Sequence, residues 1–169
     1  MIDYEKILSP TVTAIKPSGI RKYFDIADSM EDVISLSVGE PDFSTPWHIR
    51  QEAVRTLEKG RTWYSPNAGF LALREAISGY VSRHSHVTYD PKTEVLVTVG
   101  ATGALYTALT GILNPGDEVI ILEPHWPNYT NMVKMCRAVP RYVSFMGEGA
   151  LDHLAENIEK TINEKTKVI

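Results

Sequence analysis

The sequence predicts an α/β domain built on a mostly parallel sheet, and three observations predict it. The β-branched run Val95–Val99 stops at Gly100 and gives way to an apolar stripe of helical spacing: Ala104, Leu105, Ala108, Leu109, Ile112 and Leu113. A buried-type run, Glu118–Leu122, precedes a helical stretch from about Pro127 to Arg137 and a further strand candidate, Pro140–Phe145. Leu151–Ile162 then puts Leu151, Leu154, Ala155, Ile158 and Ile162 on one side of a helix, and Lys167–Ile169 opens another strand. Strands alternating with helices imply βαβ crossovers, hence parallel neighbours, helices flanking the sheet and ligands at the carboxyl ends of the strands.

Taken in order, residues 1–24 mix Pro10, Pro17 and Gly19 with isolated apolar positions such as Ile2, Ile7, Leu8, Val12 and Ile15, the pattern of an extended arm with little core of its own. Ile20–Met30 reads as a short helix and Val33–Val38 as a short strand ending at Gly39. In G-E-P-D-F, Pro41 fixes φ and biases Glu40 toward extended backbone. Gly39 there has two readings, a backbone placed against a ligand or a plain turn. Thr45 as cap, Pro46 at the first helical position and Gly60 as a stop bound the next helix. Its stripe is Ile49, Ala53, Val54 and Leu57, with Arg50, Gln51, Glu52, Arg55 and Glu58 on the wet side.

The loop Arg61–Phe70 carries Trp63, Tyr64, Pro66 and Asn67 with few apolar neighbours, an aromatic tip suited to contacting something else. The helix Leu71–His84 turns Leu73, Ala76, Ile77, Tyr80 and Val81 inward and Arg74 and Glu75 outward. His84 and His86 lack a third ligand at suitable spacing, so no metal site is read there. At Gly100–Gly103 the strand–turn–helix unit again has two readings. The helix amino terminus can take a phosphate on its free N–H groups, or the glycines only permit a sharp turn and close packing.

Hydrophobic residues make up 43% and charged residues 22%, ordinary globular usage that argues against disorder. The net charge is −4 with Lys and Arg scattered, so neither nucleic acid nor a polybasic membrane contact is indicated. Cys136 is the one cysteine; with no disulfide to form inside the chain, it is expected as a buried reduced thiol, which fits a cytoplasmic location. No apolar run approaches the roughly 20 residues of a membrane span, and Met1–Pro10 lacks the build of a signal peptide.

Five segments in order carry a resemblance: G-E-P-D-F at Gly39–Phe43, W-Y-S-P-N-A-G at Trp63–Gly69 leading into L-R-E-A-I at Leu73–Ile77, V-T-V-G-A-T-G-A-L at Val97–Leu105, N-P-G-D-E-V at Asn114–Val119, and E-P-H-W-P-N-Y at Glu123–Tyr129. Together they resemble the N-terminal part of a class I/II pyridoxal-phosphate-dependent aminotransferase of fold type I, like aspartate aminotransferase. The resemblance implies a three-layer α/β/α domain preceded by an N-terminal arm, with residues 1–45 as arm and small-domain segment and 46–169 as part of the cofactor-binding large domain. It also implies that the first strand lies away from the second and third. Gly100, Ala101 and Thr102 match the turn that holds the phosphate of pyridoxal 5'-phosphate, and Trp126 matches the aromatic stacked on its ring. Tyr64 matches a tyrosine that reaches the neighbouring subunit's cofactor phosphate, which implies a homodimer, and Gly39 matches the glycine against the substrate carboxylate. Glu40 and Asp42 have no acid–base role in that family.

The implied substrates are an amino acid and a 2-oxo acid. The family's Schiff-base lysine falls beyond Ile169, and none of the lysines here, Lys134 and Lys167 included, sits in its context, so no catalytic residue is assigned and no activity is expected from the chain alone. The three-residue closing strand also fits a truncated chain. Alternatives are a non-catalytic or assembling fragment of the same fold, or a lyase using the same cofactor. A nicotinamide or methyl-transfer domain fits less well because G-A-T-G-A-L lacks the G-x-G-x-x-G spacing, although Glu123 stands roughly 20 residues on, where a ribose-binding acid is found.

Overall fold

A computed structural model of the chain describes residues 4–15, 23, 26–27, 29–34, 39 and 41–169. They fall into two compact units, one of residues 1–18 and 98–169 and one of residues 19–97. Along the described residues the order is α1 (Tyr4–Ile7), α2 (Pro10–Thr13), α3 (Trp47–Glu58), α4 (Leu71–Ser85), α5 (Gly100–Ile112), β1 (Glu118–Glu123), α6 (Pro127–Met135), β2 (Val139–Ser144), α7 (Leu154–Thr161) and β3 (Thr166–Val168).

In the first unit β1 lies between β2 and β3, parallel to both, with Glu118 opposite Val139 and Glu123 opposite Ser144. Residues Glu118–Ile121 are buried, as expected of a central parallel strand covered on both faces. The chain steps from β1 to β2 in one direction and returns past β1 to reach β3. Right-handed crossovers with opposite steps put α6 and α7 on opposite faces, which makes three layers. On one face Leu113, Val119, Ile121, Val133 and Ala138 form the core, with Leu109, Cys136 and Val168 packed against it. Val133 is 1% exposed, so trimming it to Ala costs about 2 kcal/mol. Cys136 is half-buried at the edge of this core rather than enclosed by it.

The amino ends of the three strands are tied by one carboxylate. Glu118 on β1 accepts Arg141 Nε at 2.8 Å and Nη2 at 2.6 Å from β2, and Asn163 Nδ2 at 2.8 Å from the turn before β3. Residues 118 and 141 share a face because Arg141 lies opposite Ile120, two positions on from Glu118. Hydrogen bonds from Arg141 and then Asn163 hold the carboxyl at about 2 against an ordinary 4.5.

Several elements differ from the sequence expectation. Val95–Val99 belongs to no strand among the described residues; its Val97 N–H meets the Ala68 carbonyl at 3.1 Å, and the described ladders join only β2, β1 and β3. β-branching favours extended backbone, but a strand exists only through pairing. The arm is not simply extended: within residues 4–15 it forms two helical turns, α2 being capped by Ser9 Oγ on the Val12 N–H at 3.3 Å with Pro10 at its first position. Ile7, Leu8 and Val12 remain exposed, so it has no core of its own. The expected helix Ile20–Met30 and strand Val33–Val38 lie largely outside the described residues.

Boundaries move where caps differ from the pattern. α3 takes Pro46, not Thr45, as its cap and leaves Ile49, Val54 and Leu57 exposed. α7 begins at Leu154, because residues 149–153 form turns. α5 begins at Gly100, four residues before its apolar stripe. In α4 the side chain of Arg74, expected outward, is half-buried, which the local hydrogen bonding described below explains.

Candidate functional site

The turn into α5 is fixed by backbone geometry. Val99 at φ −78 and ψ 84 lets the Gly100 N–H bond the Thr98 carbonyl at 3.0 Å, an inverse γ-turn, and Gly100 itself stands at φ +76. Thr98 Oγ1 donates to the Gly100 carbonyl at 3.0 Å. A Cβ on Gly100 would meet nothing within 4 Å, so the demand for glycine is conformational. A Cβ on Gly103 would meet Thr98 Cβ at 3.6 Å, ordinary contact; close packing does not require that glycine. No side chain caps α5 and no acidic residue sits in its first turn. Among the described residues no acceptor meets the N–H of Ala101 or Thr102, and both side chains are exposed. Two donors at the positive end of a helix are left for an anion.

Topology carries that end to the carboxyl end of β1. The short connection Leu113–Asp117 returns α5 against the sheet through Leu109 and Leu113, and Leu105, Leu109, Ile120 and Leu122 line one apolar cavity of about 390 Å³. A 13-residue helix and a six-residue strand each extend about 20 Å, so the start of α5 comes level with the end of β1. At that end the chain leaves β1 toward β2, and after β2 it crosses back past β1 to enter β3 at the opposite, amino end of the sheet.

Trp126 caps α6 just past β1, after the cis Glu123–Pro124 bond, and is 42% exposed. The Tyr129 ring meets it edge-on at 5.6 Å and 87°, which leaves a face of the indole available. Its carbonyl accepts His125 Nδ1 at 2.8 Å.

The second unit holds Gly39 and Tyr64. Gly39 is exposed, and a Cβ there would meet nothing within 4 Å; Glu40 lies outside the described residues. Tyr64 is wholly exposed and Trp63 is 69% exposed, at the tip of the loop that the sequence singled out. That loop is anchored at its far end. Gly69, at φ +89, lies so close to Val97 that a Cβ would come within 2.7 Å of the valine Cβ. Arg74 donates to the carbonyls of Gly69 (3.2 Å), Pro91 (2.6 Å) and Lys92 (3.1 Å). Sequence reasoning missed this clamp because helical periodicity alone puts Arg74 on the wet side, whereas three carbonyls turned toward one guanidinium hold it in. Gly100, Ala101, Thr102 and Trp126 thus belong to one unit, and Gly39 and Tyr64 to the other. Among the described residues no group of His, Cys, Asp and Glu could hold a metal ion, and no helix is long and apolar enough to cross a membrane.

Comparison with known proteins bears directly on this arrangement. The profile of the family "Aminotransferase class I and II" matches residues 31–169. The aminotransferase-like protein YugH of Bacillus subtilis is 47% identical over 162 residues, covering 96% of the chain and 42% of YugH. Aromatic-amino-acid aminotransferase 2 of Thermococcus litoralis is 38% identical over 162 residues, covering 96% of the chain and 42% of that enzyme. The solved structure of N-succinyldiaminopimelate aminotransferase from Mycobacterium tuberculosis superposes with a TM-score of 0.86 at 32% identity, over 94% of this chain and 41% of that one. The chain therefore spans about two fifths of the length of the curated relatives it matches.

Proposed function

Because the chain belongs to the class I and II aminotransferase family, we propose that it supplies the phosphate- and ring-holding side of a pyridoxal 5'-phosphate site, in an enzyme moving an amino group from an amino acid to a 2-oxo acid. The observation that carries the reading is the uncapped start of α5, where the N–H groups of Ala101 and Thr102 find no acceptor among the described residues. The donor set fits a phosphate: two amides at a helix amino terminus, a Thr102 hydroxyl, and no acid in the first turn to repel the anion.

In this reading Gly100–Thr102 bind the phosphate and so fix one end of the cofactor. Trp126 covers one ring face and keeps water from it, and the Gly39 backbone borders the substrate carboxylate. When bound, the cofactor withdraws electrons from the substrate carbon that loses its proton. Tyr64, whose phenol has no partner among the described residues, reaches the phosphate held by a second copy, which makes the enzyme a homodimer. Residues 1–45 serve as arm and small-domain segment and 46–169 as part of the cofactor domain, in a cytoplasmic protein. No lysine of this chain takes the covalent role.

Titration of the chain with pyridoxal 5'-phosphate tests this. With Trp47→Phe and Trp63→Phe leaving Trp126 as the reporter, emission is expected to quench saturably and to recover with excess inorganic phosphate. Quenching that never saturates, or that ignores phosphate, contradicts the reading. Borohydride is expected to trap no stoichiometric lysine adduct.

A further inference from the structure

His125 lies between the carboxyl end of β1 and α6, its side chain only 14% exposed. The ring lies parallel to that of Tyr142 on β2, with centroids 5.7 Å apart and planes at 5°. Nδ1 is 2.8 Å from the Trp126 carbonyl, Nε2 is 3.4 Å from Thr130 Oγ1, and Thr130 Oγ1 is 2.9 Å from the Tyr142 hydroxyl. The direction of these bonds follows from chemistry. A carbonyl can only accept, so Nδ1 carries the hydrogen. In the neutral ring Nε2 must then accept, and Thr130 supplies the donor. Its hydrogen spent, Thr130 Oγ1 accepts from Tyr142 O–H. Every polar atom is used in one direction, and the chain ends on the residue that caps α6. The opposite arrangement, with hydrogen on Nε2, would leave Nδ1 lone pair against carbonyl oxygen at 2.8 Å, with only the Glu123 carboxylate 3.9 Å from Nε2 to favour it.

We infer that His125 is a positioning residue for Trp126. In its Nδ1–H form it pins the Trp126 peptide plane at the mouth of α6, and Thr130 and Tyr142 select that form. The role rests on the reading of Trp126 as the ring-covering residue, so the test separates the two.

Nitrogen-15 NMR of the imidazoles, with the His125 signal identified by its loss in His125→Asn, is expected to show the Nδ1–H tautomer. An Nε2–H tautomer overturns the inference. Thr130→Val keeps the ring in place and removes the donor to Nε2, and should move the population toward Nε2–H; an unmoved tautomer counts against the relay. With Trp126 as the only tryptophan and no cofactor present, His125→Phe keeps the stack on Tyr142 but loses the N–H, and the anisotropy of Trp126 emission should fall. His125→Asn, whose amide nitrogen takes the place of Nδ1, should restore it. Equal anisotropy in the parent and His125→Phe overturns the positioning role. If pyridoxal 5'-phosphate fails to quench Trp126 in the parent, the ring-covering reading falls while the tautomer and anisotropy results stand.

Discussion

The two ends of β1 answer their polar groups very differently. At the amino end the Glu118 N–H meets the Lys165 carbonyl at 2.8 Å, its carboxylate takes three hydrogen bonds from two other segments, and Asp117 Oδ2 accepts the Asn114 N–H at 2.7 Å. At the carboxyl end, level with the start of α5, the N–H groups of Ala101 and Thr102 go unanswered among the described residues, Val99 is wholly exposed and Trp126 is half in water. The first end spends its polarity on holding strands together, the second keeps its polarity for something else. Substitutions at the first should therefore move stability, and substitutions at the second should move binding.

The largest loss is expected from Glu118→Ala, which strands Arg141 and Asn163 and unties three strands at once. The thermal midpoint should fall by roughly 5 °C or more, with phosphate affinity of the remaining folded protein little changed. The acid limb of stability gives a gentler version. The folded carboxyl sits at about 2 and the unfolded one at 4.5, so its contribution is full above 4.5 and disappears as pH falls toward 2. Asp90, lowered mainly by the Lys92 N–H, bends the same limb. The difference between the parent and Glu118→Gln isolates the tie: the two urea-unfolding curves should converge as pH drops from 4.5 to 2, and curves that stay parallel would show that the tie carries no stability.

From α5 onward the order and type of the elements were legible from periodicity, since β1, α6, β2, α7 and β3 each show it within a few residues of their bounds, whereas the two helical turns of the arm were not. The turn into α5 was legible as a motif, with Gly100 at its one position of positive φ. Three features were not. Val95–Val99 has strand composition but no ladder, because pairing depends on partners and not on the segment. Arg74 is a charged residue that helical periodicity assigns to solvent, and Glu118 opens a run read as buried with nothing to show what answers its charge; only the meeting of distant segments gives the two their partners. His125 carries no signal either, because its partners Thr130 and Tyr142 come from two further elements.

A middle-sized effect is expected at Gly100. Alanine there must hold φ +76, which costs about 1 kcal/mol, and the empty space around the Cβ adds no clash to that figure. Because the same strain tilts the Ala101 and Thr102 amides, Gly100→Ala should weaken phosphate binding as well as lower stability. Gly103→Ala, with only ordinary contact at 3.6 Å, should leave binding unchanged and stabilise the helix slightly. If both variants bind alike, the turn's conformation is not what presents the donors.

The smallest change in stability should come from Thr102→Val, and it is the sharpest test of the division of labour. The hydroxyl bonds nothing among the described residues and the side chain is exposed, so the folded protein loses no contact; the shift should stay within about 0.5 kcal/mol. A hydroxyl donating to a phosphate is a hydrogen bond to a charged group, and its loss should weaken pyridoxal 5'-phosphate about tenfold. Valine keeps the shape and leaves the amide in place, so inorganic phosphate should still bind through the two N–H groups, more weakly and in competition with the cofactor. A Thr102→Val chain that binds as well as the parent would mean that the amides act without the hydroxyl. One that loses stability instead would place Thr102 with Glu118, among the residues that hold the fold.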